Sequence, residues 1–272
     1  MAKKHPPAKR RKKHSRKRRR RKNNKKPTAL IAIVGGLFLL IIAFTTYTFI
    51  RSKQQLFHSF NDPVFSGKYF VRGVDVSHHN SFINWKQLRE DNITFVYMKS
   101  TEGNTHTDRD YQRNYSLARE AGLKVGTYHF YTFGQDGKLQ ARHFIENAHV
   151  QPGDLRPAID VEHSPINKPY SDKKERKAII DELRSLENEL FSHYGQRPVI
   201  YTNKDCYRLY IDGNFPENPI WMCDLHGEPN VAPDKWVFWQ FSHTGKIPGV
   251  VNDIDLNYYR YSFTDFRHLL MP

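Results

Sequence analysis

From Tyr69 onward, short strand-like runs alternate with runs of helical period, and no other feature constrains the fold as much. YFVRGVDVS, ITFVYMKS, LKVGTYHFY and RPAIDVE are rich in β-branched and aromatic residues and read as strands. Between them lie INWKQLRED, DYQRNYSLAREAG and KLQARHFIENAH, each with helical spacing. Tyr111, Tyr115 and Ala118 share one helix face, and Ala141, Phe144, Ile145 and Ala148 share another. The longest helix follows Ser171, a candidate N-cap. It carries Ile179, Leu183, Leu186 and Leu190 as its stripe and stops at Gly195. RPVIYTN, NPIWMCD and KWVFWQFS then follow as strands with little room for helices between them. Alternating elements imply a parallel sheet covered by helices. About eight strands in roughly 200 residues favour an α/β fold closed as a modified β/α (TIM-like) barrel, altered in a strand-rich final third.

The chain before the alternation has a different character. Of 43 Lys and Arg, 16 lie in residues 1–26, which hold no Asp or Glu. The remainder keeps 27 basic against 28 acidic residues, a formal −1. The strong basicity therefore belongs to a tail. The run TALIAIVGGLFLLIIAFTTYTFI, Thr28 to Ile50, has no charged residue. As a helix it spans roughly 34 Å, enough to cross a bilayer. It is longer than the apolar core of a signal peptide and ends in a poor cleavage motif, so an uncleaved signal-anchor is expected. Basic residues before the span place the N-terminus in the cytoplasm and the rest outside it. The expected organisation is a basic tail at 1–27, an anchor at 28–50, a linker at 51–68 and a barrel at 69–272. The tail is expected to meet anionic lipid headgroups. It has no interleaved aromatic residue for base stacking, so nucleic acid is not an expected partner. Cys206 and Cys223 fall on the exported side, where a disulfide and two free thiols are both open readings.

Chemistry-bearing residues collect where the strands end. In such barrels the working side chains sit at the C-terminal ends of the strands. Asp75 ends GVDVS, Tyr128 lies in VGTYHFY, and Asp160 and Glu162 end PAIDVE. Tyr201 lies in PVIYTN, Trp221 in IWMCD, Gln240 in VFWQ and Asp255 in NDIDLN. Asp160 and Glu162, two residues apart on a strand, point to one face roughly 6–7 Å apart, and like charges at that separation push one pKa upward. Glycoside hydrolysis uses such a division, one carboxyl protonated and one ionised. The aromatic residues beside the acids suit the faces of sugar rings.

Read in order, GVDVSHHN, MKSTEGNTHTD, AGLKVGTYHFY, AIDVEH, RPVIYTN, IWMCDL and VFWQFSHTGKIPGVVNDIDLN resemble the family 25 glycoside hydrolases, the Chalaropsis-type lysozymes. The resemblance covers about residues 69–270. It implies a modified β/α barrel and an N-acetylmuramidase that cuts the β-1,4 bond from N-acetylmuramic acid to N-acetylglucosamine in peptidoglycan. It implies Glu162 as general acid and Asp160 as supporting carboxylate, with attack by the substrate's own acetamido group in one family scheme. Asp75 and Asp255 match further groove acids, and Tyr128, Tyr201, Trp221 and Gln240 are candidates for saccharide contacts. No cofactor is implied. The chief alternative is an inactive barrel that grips glycan strands as a wall anchor or scaffold; a hydrolase for another amino-sugar polymer is a further one.

Other residues have plainer readings. Lys99 and Glu102 are expected to pair, and Asp253 to be a loop residue. His129 is expected to hydrogen-bond within the barrel rim, and Trp85 and Trp236 to be core. His78, His79, His129 and His163 match no metal-binding spacing such as HExxH, so no metal is expected.

Overall fold

The computed structural model describes residues 26–53, 59–60, 67–80, 82–170 and 172–272. Most of the basic tail, much of the 51–68 stretch and the proposed cap Ser171 lie outside the described residues. The chain divides into two compact units, Met1–Gln54 and Gln55–Pro272.

The first unit holds one helix, α1 (Lys26–Lys53), in which Ile31–Thr48 is long and apolar enough to cross a membrane. Two of its threonines pair their hydroxyls within the helix. Thr45 Oγ1 donates to the Ile42 carbonyl and Thr48 Oγ1 to the Thr45 carbonyl, both at 2.9 Å. Such local pairing lets a hydroxyl sit in an apolar medium.

The second unit runs β1 (Val71–Val76), α2 (Trp85–Glu90), β2 (Ile93–Glu102), β3 (His106–Thr107), α3 (Tyr111–Glu120), β4 (Lys124–Phe130), α4 (Gly137–Asn147), β5 (Ala158–Val161), α5 (Lys173–Tyr194), β6 (Val199–Asn203) and α6 (Lys204–Cys206). The last continues into a π-helical turn, Tyr207–Ile211. Then come β7 (Ile220–Cys223), β8 (Trp236–Gly245), β9 (Ile254–Tyr259), α7 (Phe263–Phe266) and a 3-10 turn, Arg267–Leu269. The strands pair in the order β1-β9-β8-β7-β6-β5-β4-β2, and β1 also pairs with β2, so eight strands close a barrel; β3 is an appendage of β2. From β1 through β2, β4, β5, β6 and β7 to β8, successive neighbours are parallel. Of the eight barrel strands only β9 runs the other way, antiparallel to both β8 and β1. The strand-rich final third is this departure: β8 and β9 follow β7 with no long helix between them.

Alternation along each strand sorts the side chains into two cores. One phase, with Val71, Phe95, Tyr97, Ala158, Val199, Tyr201, Trp221, Phe238 and Tyr259, forms one buried cluster with Phe266 and Leu269 from the C-terminal turns. The other phase, with Val74, Val96, Met98, Val125, Ile159, Ile200 and Met222, packs with the helix stripes, including Ile179, Leu183, Leu186 and Leu190 of α5. The first phase continues upward into Asp75, Tyr128, Asp160 and Gln240, so one alternation sets both the barrel filling and the site above it. Glycine makes room for the bulk of this filling. A Cβ on Gly126 would lie 2.2 Å from the Tyr97 ring, which stacks on Trp221 at 4.8 Å between centroids.

Caps fix where the helices begin and end. Asp172 caps α5, accepting from the Lys174 and Glu175 amides at 2.7 and 3.2 Å, and Gly195 closes it in the left-handed region at φ 70°. Phe60, inside the stretch expected as a linker, packs edge-on against Phe241 and Tyr258, and its carbonyl accepts from Tyr258 OH at 3.2 Å. Trp85 and Trp236 are buried. Both thiols are free, Cys206 buried and Cys223 half-buried.

Candidate active site

One cleft is lined by Asp75, Tyr128, Asp160, Glu162, Tyr201, Trp221, Gln240, His243 and Asp255, with a cavity volume of about 140 Å³. All eight residues singled out in the sequence therefore meet, joined by His243. They come from the parallel strands, Trp221 and Gln240 from within β7 and β8 and Glu162 from just past β5, except Asp255, which lies near the start of the antiparallel β9. That reversal brings Asp255 level with Asp75, its direct partner across the β1–β9 ladder.

A hydrogen-bond network organises the wall on the β1 side. Asp75 Oδ2 accepts from Gln240 Nε2 at 2.8 Å and from Asn257 Nδ2 at 2.7 Å. Gln240 Oε1 in turn accepts from Tyr201 OH and contacts His243 Nε2, both at 2.8 Å. Asn257 Oδ1 accepts from Trp221 Nε1 at 2.7 Å. Trp221 is thereby fixed from two sides, by this bond and by the Tyr97 ring, and is only 2% exposed. Tyr201 and Gln240 are buried too, while Tyr128 is half-buried.

Opposite stands the carboxylate pair. Asp160 lies in β5, level with Phe130 of β4 and Tyr201 of β6. Glu162 follows one residue past the strand. Asp160 Oδ1 is buried and has no hydrogen-bond partner among the described residues. A buried oxygen without a protein partner is costly, and it calls for a water, an ion or a ligand group to satisfy it.

Burial dominates the electrostatics. It pushes Glu162 up, with the charge of Asp75 adding and Lys99 opposing, to about 7. Burial, then the negative charge of Glu162, pushes Asp160 well above the usual carboxylate range. Asp255 is raised by burial and then by Asp75. Asp75 is also raised by burial, but the amide donors of Asn257 and Gln240 favour its charged form. Coupled acids of this kind share protons, and the Asp160–Glu162 pair holds at least one near neutral pH. Lys99, mostly buried, pairs with Glu102 and lies 4.8 Å over the Phe130 ring.

The remaining residues fall outside the cleft lining. His129 is fully buried, its Nδ1 2.8 Å from Thr101 Oγ1 and its Nε2 3.1 Å from Gln140 Oε1. Asp253 is an exposed loop residue paired with Lys246. Among the described residues, no group of three or more His, Cys, Asp or Glu is arranged to hold a metal ion. Sequence reasoning missed His243 and Asn257. Asn257 had a signal, since it lies two residues after Asp255 and shares its face. His243 had none: register shifts in β8 after Gln240 bring it to the cleft out of strict alternation.

Known proteins match this picture. The family model described as glycosyl hydrolases family 25 matches residues 74–250. YegX of Escherichia coli K12 is 31% identical over 195 residues, covering 70% of this chain and 69% of its own. Lysozyme M1 of Streptomyces globisporus is 30% identical over 201 residues, covering 69% of this chain and 67% of its own. The solved structure of a family 25 glycosyl hydrolase from Bacillus anthracis superposes with a TM-score of 0.68 at 32% identity, covering 75% of this chain and 95% of that one. With strand-end acids gathered in one cleft of a barrel altered at β9, and a family match over most of that barrel, this chain belongs to the glycosyl hydrolases of family 25 and is a glycoside hydrolase.

Proposed function

We propose that this chain is a peptidoglycan hydrolase, a lysozyme cutting the β-1,4 bond between N-acetylmuramic acid and N-acetylglucosamine. The observation that carries the reading is the pair at the end of β5: Glu162, raised by burial to about 7, beside Asp160 with its unpartnered buried oxygen. Relatives named as lysozymes support the substrate class.

In this mechanism Glu162 is the general acid. Protonated below about pH 7, it gives its proton to the leaving glycosidic oxygen as the C–O bond breaks. Asp160 is the supporting carboxylate. Its Oδ1 receives the N–H of the substrate's acetamido group, aiming the acetamido oxygen at the anomeric carbon, and attack from within the substrate spares the enzyme a covalent sugar bond. Asp75 and Asp255 complete the acid set and keep the cleft's charge next to the developing oxocarbenium ion. Tyr128, Tyr201, Trp221 and Gln240 contact the saccharide. The catalytic unit spans residues 69–272 and stands outside the cytoplasm. Residues 28–50 anchor it as a single-pass helix after a cytoplasmic basic tail at 1–27 that meets anionic headgroups, and 51–68 links the two.

The test is release of reducing ends from purified peptidoglycan by the detergent-solubilised full chain and by Glu162→Gln. The expected result is release by the wild type and a loss of at least about a thousandfold in the variant, with both still pelleting with the glycan. Binding by both with turnover by neither would instead make the barrel a glycan-binding scaffold.

A further inference from the structure

Glu162 lies one residue beyond β5, past the last registered pair of the β5–β6 ladder, Val161↔Thr202. Asp160 has firmer support: its carbonyl accepts from the Tyr131 amide at 3.0 Å, and Asp160 is in register with both neighbouring strands. What holds the segment carrying the proton donor is a side chain five residues further on.

Asn167 is fully buried in the loop between β5 and α5. Its Nδ2 donates to the Tyr131 carbonyl at 2.6 Å and to the Glu162 carbonyl at 3.2 Å. Its Oδ1 accepts from the Phe133 amide at 2.8 Å. Its own main chain is tied into a tight turn. The Asn167 amide donates to Ser164 Oγ at 3.1 Å and its carbonyl accepts from the Ser164 amide at 3.0 Å. One amide therefore satisfies three main-chain groups, two of them buried in the segment just past β4 and one in the segment after β5. Only a planar group with donors and an acceptor on one short stem can do so. We propose that Asn167 is a positioning residue for Glu162, clamping the segment after β5 to the segment just past β4 so that the Glu162 carboxyl stays in its desolvated place in the cleft.

The proposal rests on the reading of Glu162 as the proton donor, but its geometry can be tested without turnover. Burial is the main reason that Glu162 titrates high. A loosened segment admits water, and a solvated carboxyl titrates lower. Asn218→Ala is the matched control. Asn218 is also a buried asparagine, donating to Glu187 Oε1 at 3.0 Å and to the Pro198 carbonyl at 2.9 Å, and it lines a different pocket from the cleft.

The experiment follows the ¹³C-labelled Glu162 carboxyl by NMR against pH in the full chain in micelles, assigned with Glu162→Gln. The same preparations are then assayed for kcat and KM on peptidoglycan. Asn167→Ala should lower the Glu162 midpoint by about one pH unit and lower kcat by roughly tenfold to a hundredfold, with KM within about twofold. Asn218→Ala should move neither the midpoint nor kcat per folded molecule. Equal Glu162 midpoints in wild type and Asn167→Ala, with any activity loss matching that of Asn218→Ala, would overturn the proposal. A wild type without turnover, in which Asn167→Ala still lowers the midpoint, sinks the hydrolase reading and leaves the clamp standing.

Discussion

Glu162 sets the first prediction. In the proposed mechanism Glu162 is the general acid, which works only while it holds its proton, and burial with the Asp75 charge keeps that carboxyl up to about 7. Activity should therefore fall as pH rises through that value. A rate still rising at pH 9 would contradict the assignment. Asn257 sets the second. Its side chain is shared by Asp75 and Trp221. Asn257→Ala strips one partner from each of two buried polar groups, so chemical denaturation should show a loss of about 2–4 kcal/mol. A loss under about 0.5 kcal/mol would mean that the network holds the cleft without it. At this scale the sequence was legible where period two holds: Asp160 with Glu162 could be seen as a pair from their spacing alone. Asn167 could not, because an asparagine among Ser164, Pro165, Lys168 and Pro169 looks like a turn residue until the fold buries it.

At the scale of elements, β4 carries an ionisable group that the barrel keeps neutral. Burial pulls His129 down to about 3, far below its ordinary value near 6.5. The unfolded chain takes up this proton below about pH 6.5, whereas the folded chain resists it until about 3. The histidine thus removes stability as pH falls between those values, on the order of 1.4 kcal/mol per pH unit. The cleft carboxyls act in the opposite sense, being raised in the folded state, so the comparison must be differential. The stability gap between wild type and His129→Gln should move in favour of the variant from pH 6.5 to pH 4, followed by denaturant melts; parallel curves would contradict a buried neutral imidazole. The elements themselves were mostly readable because helix stripes and strand alternation report burial directly. The antiparallel run of β9 was not, since strand direction leaves no mark on side-chain period. The π-helical turn at Tyr207–Ile211 and the short C-terminal turns were also missed, each being too brief to show a period. Phe60 was hidden for another reason: one aromatic in a polar stretch gives no pattern until its partners Phe241 and Tyr258 are in place.

For the whole molecule, the charge map and the apolar helix point the same way. A nearly neutral barrel follows an uncharged run, with the basic residues concentrated before it. A lytic enzyme held this way would act only on wall within reach of its anchor. The full chain should stay in the membrane pellet after an alkaline carbonate wash, and external protease should digest the barrel while sparing a tag at the N-terminus. Release into the wash, or digestion of the tag in intact cells, would reverse that topology. The central claim concerns the bond that is cut. The most direct measurement incubates the full chain with purified peptidoglycan, reduces the products with borohydride and identifies the reduced sugar by mass spectrometry. The account predicts muropeptides ending in reduced N-acetylmuramic acid, absent with Glu162→Gln; products ending in reduced N-acetylglucosamine, or no products from the wild type across pH 4 to 8, would contradict it.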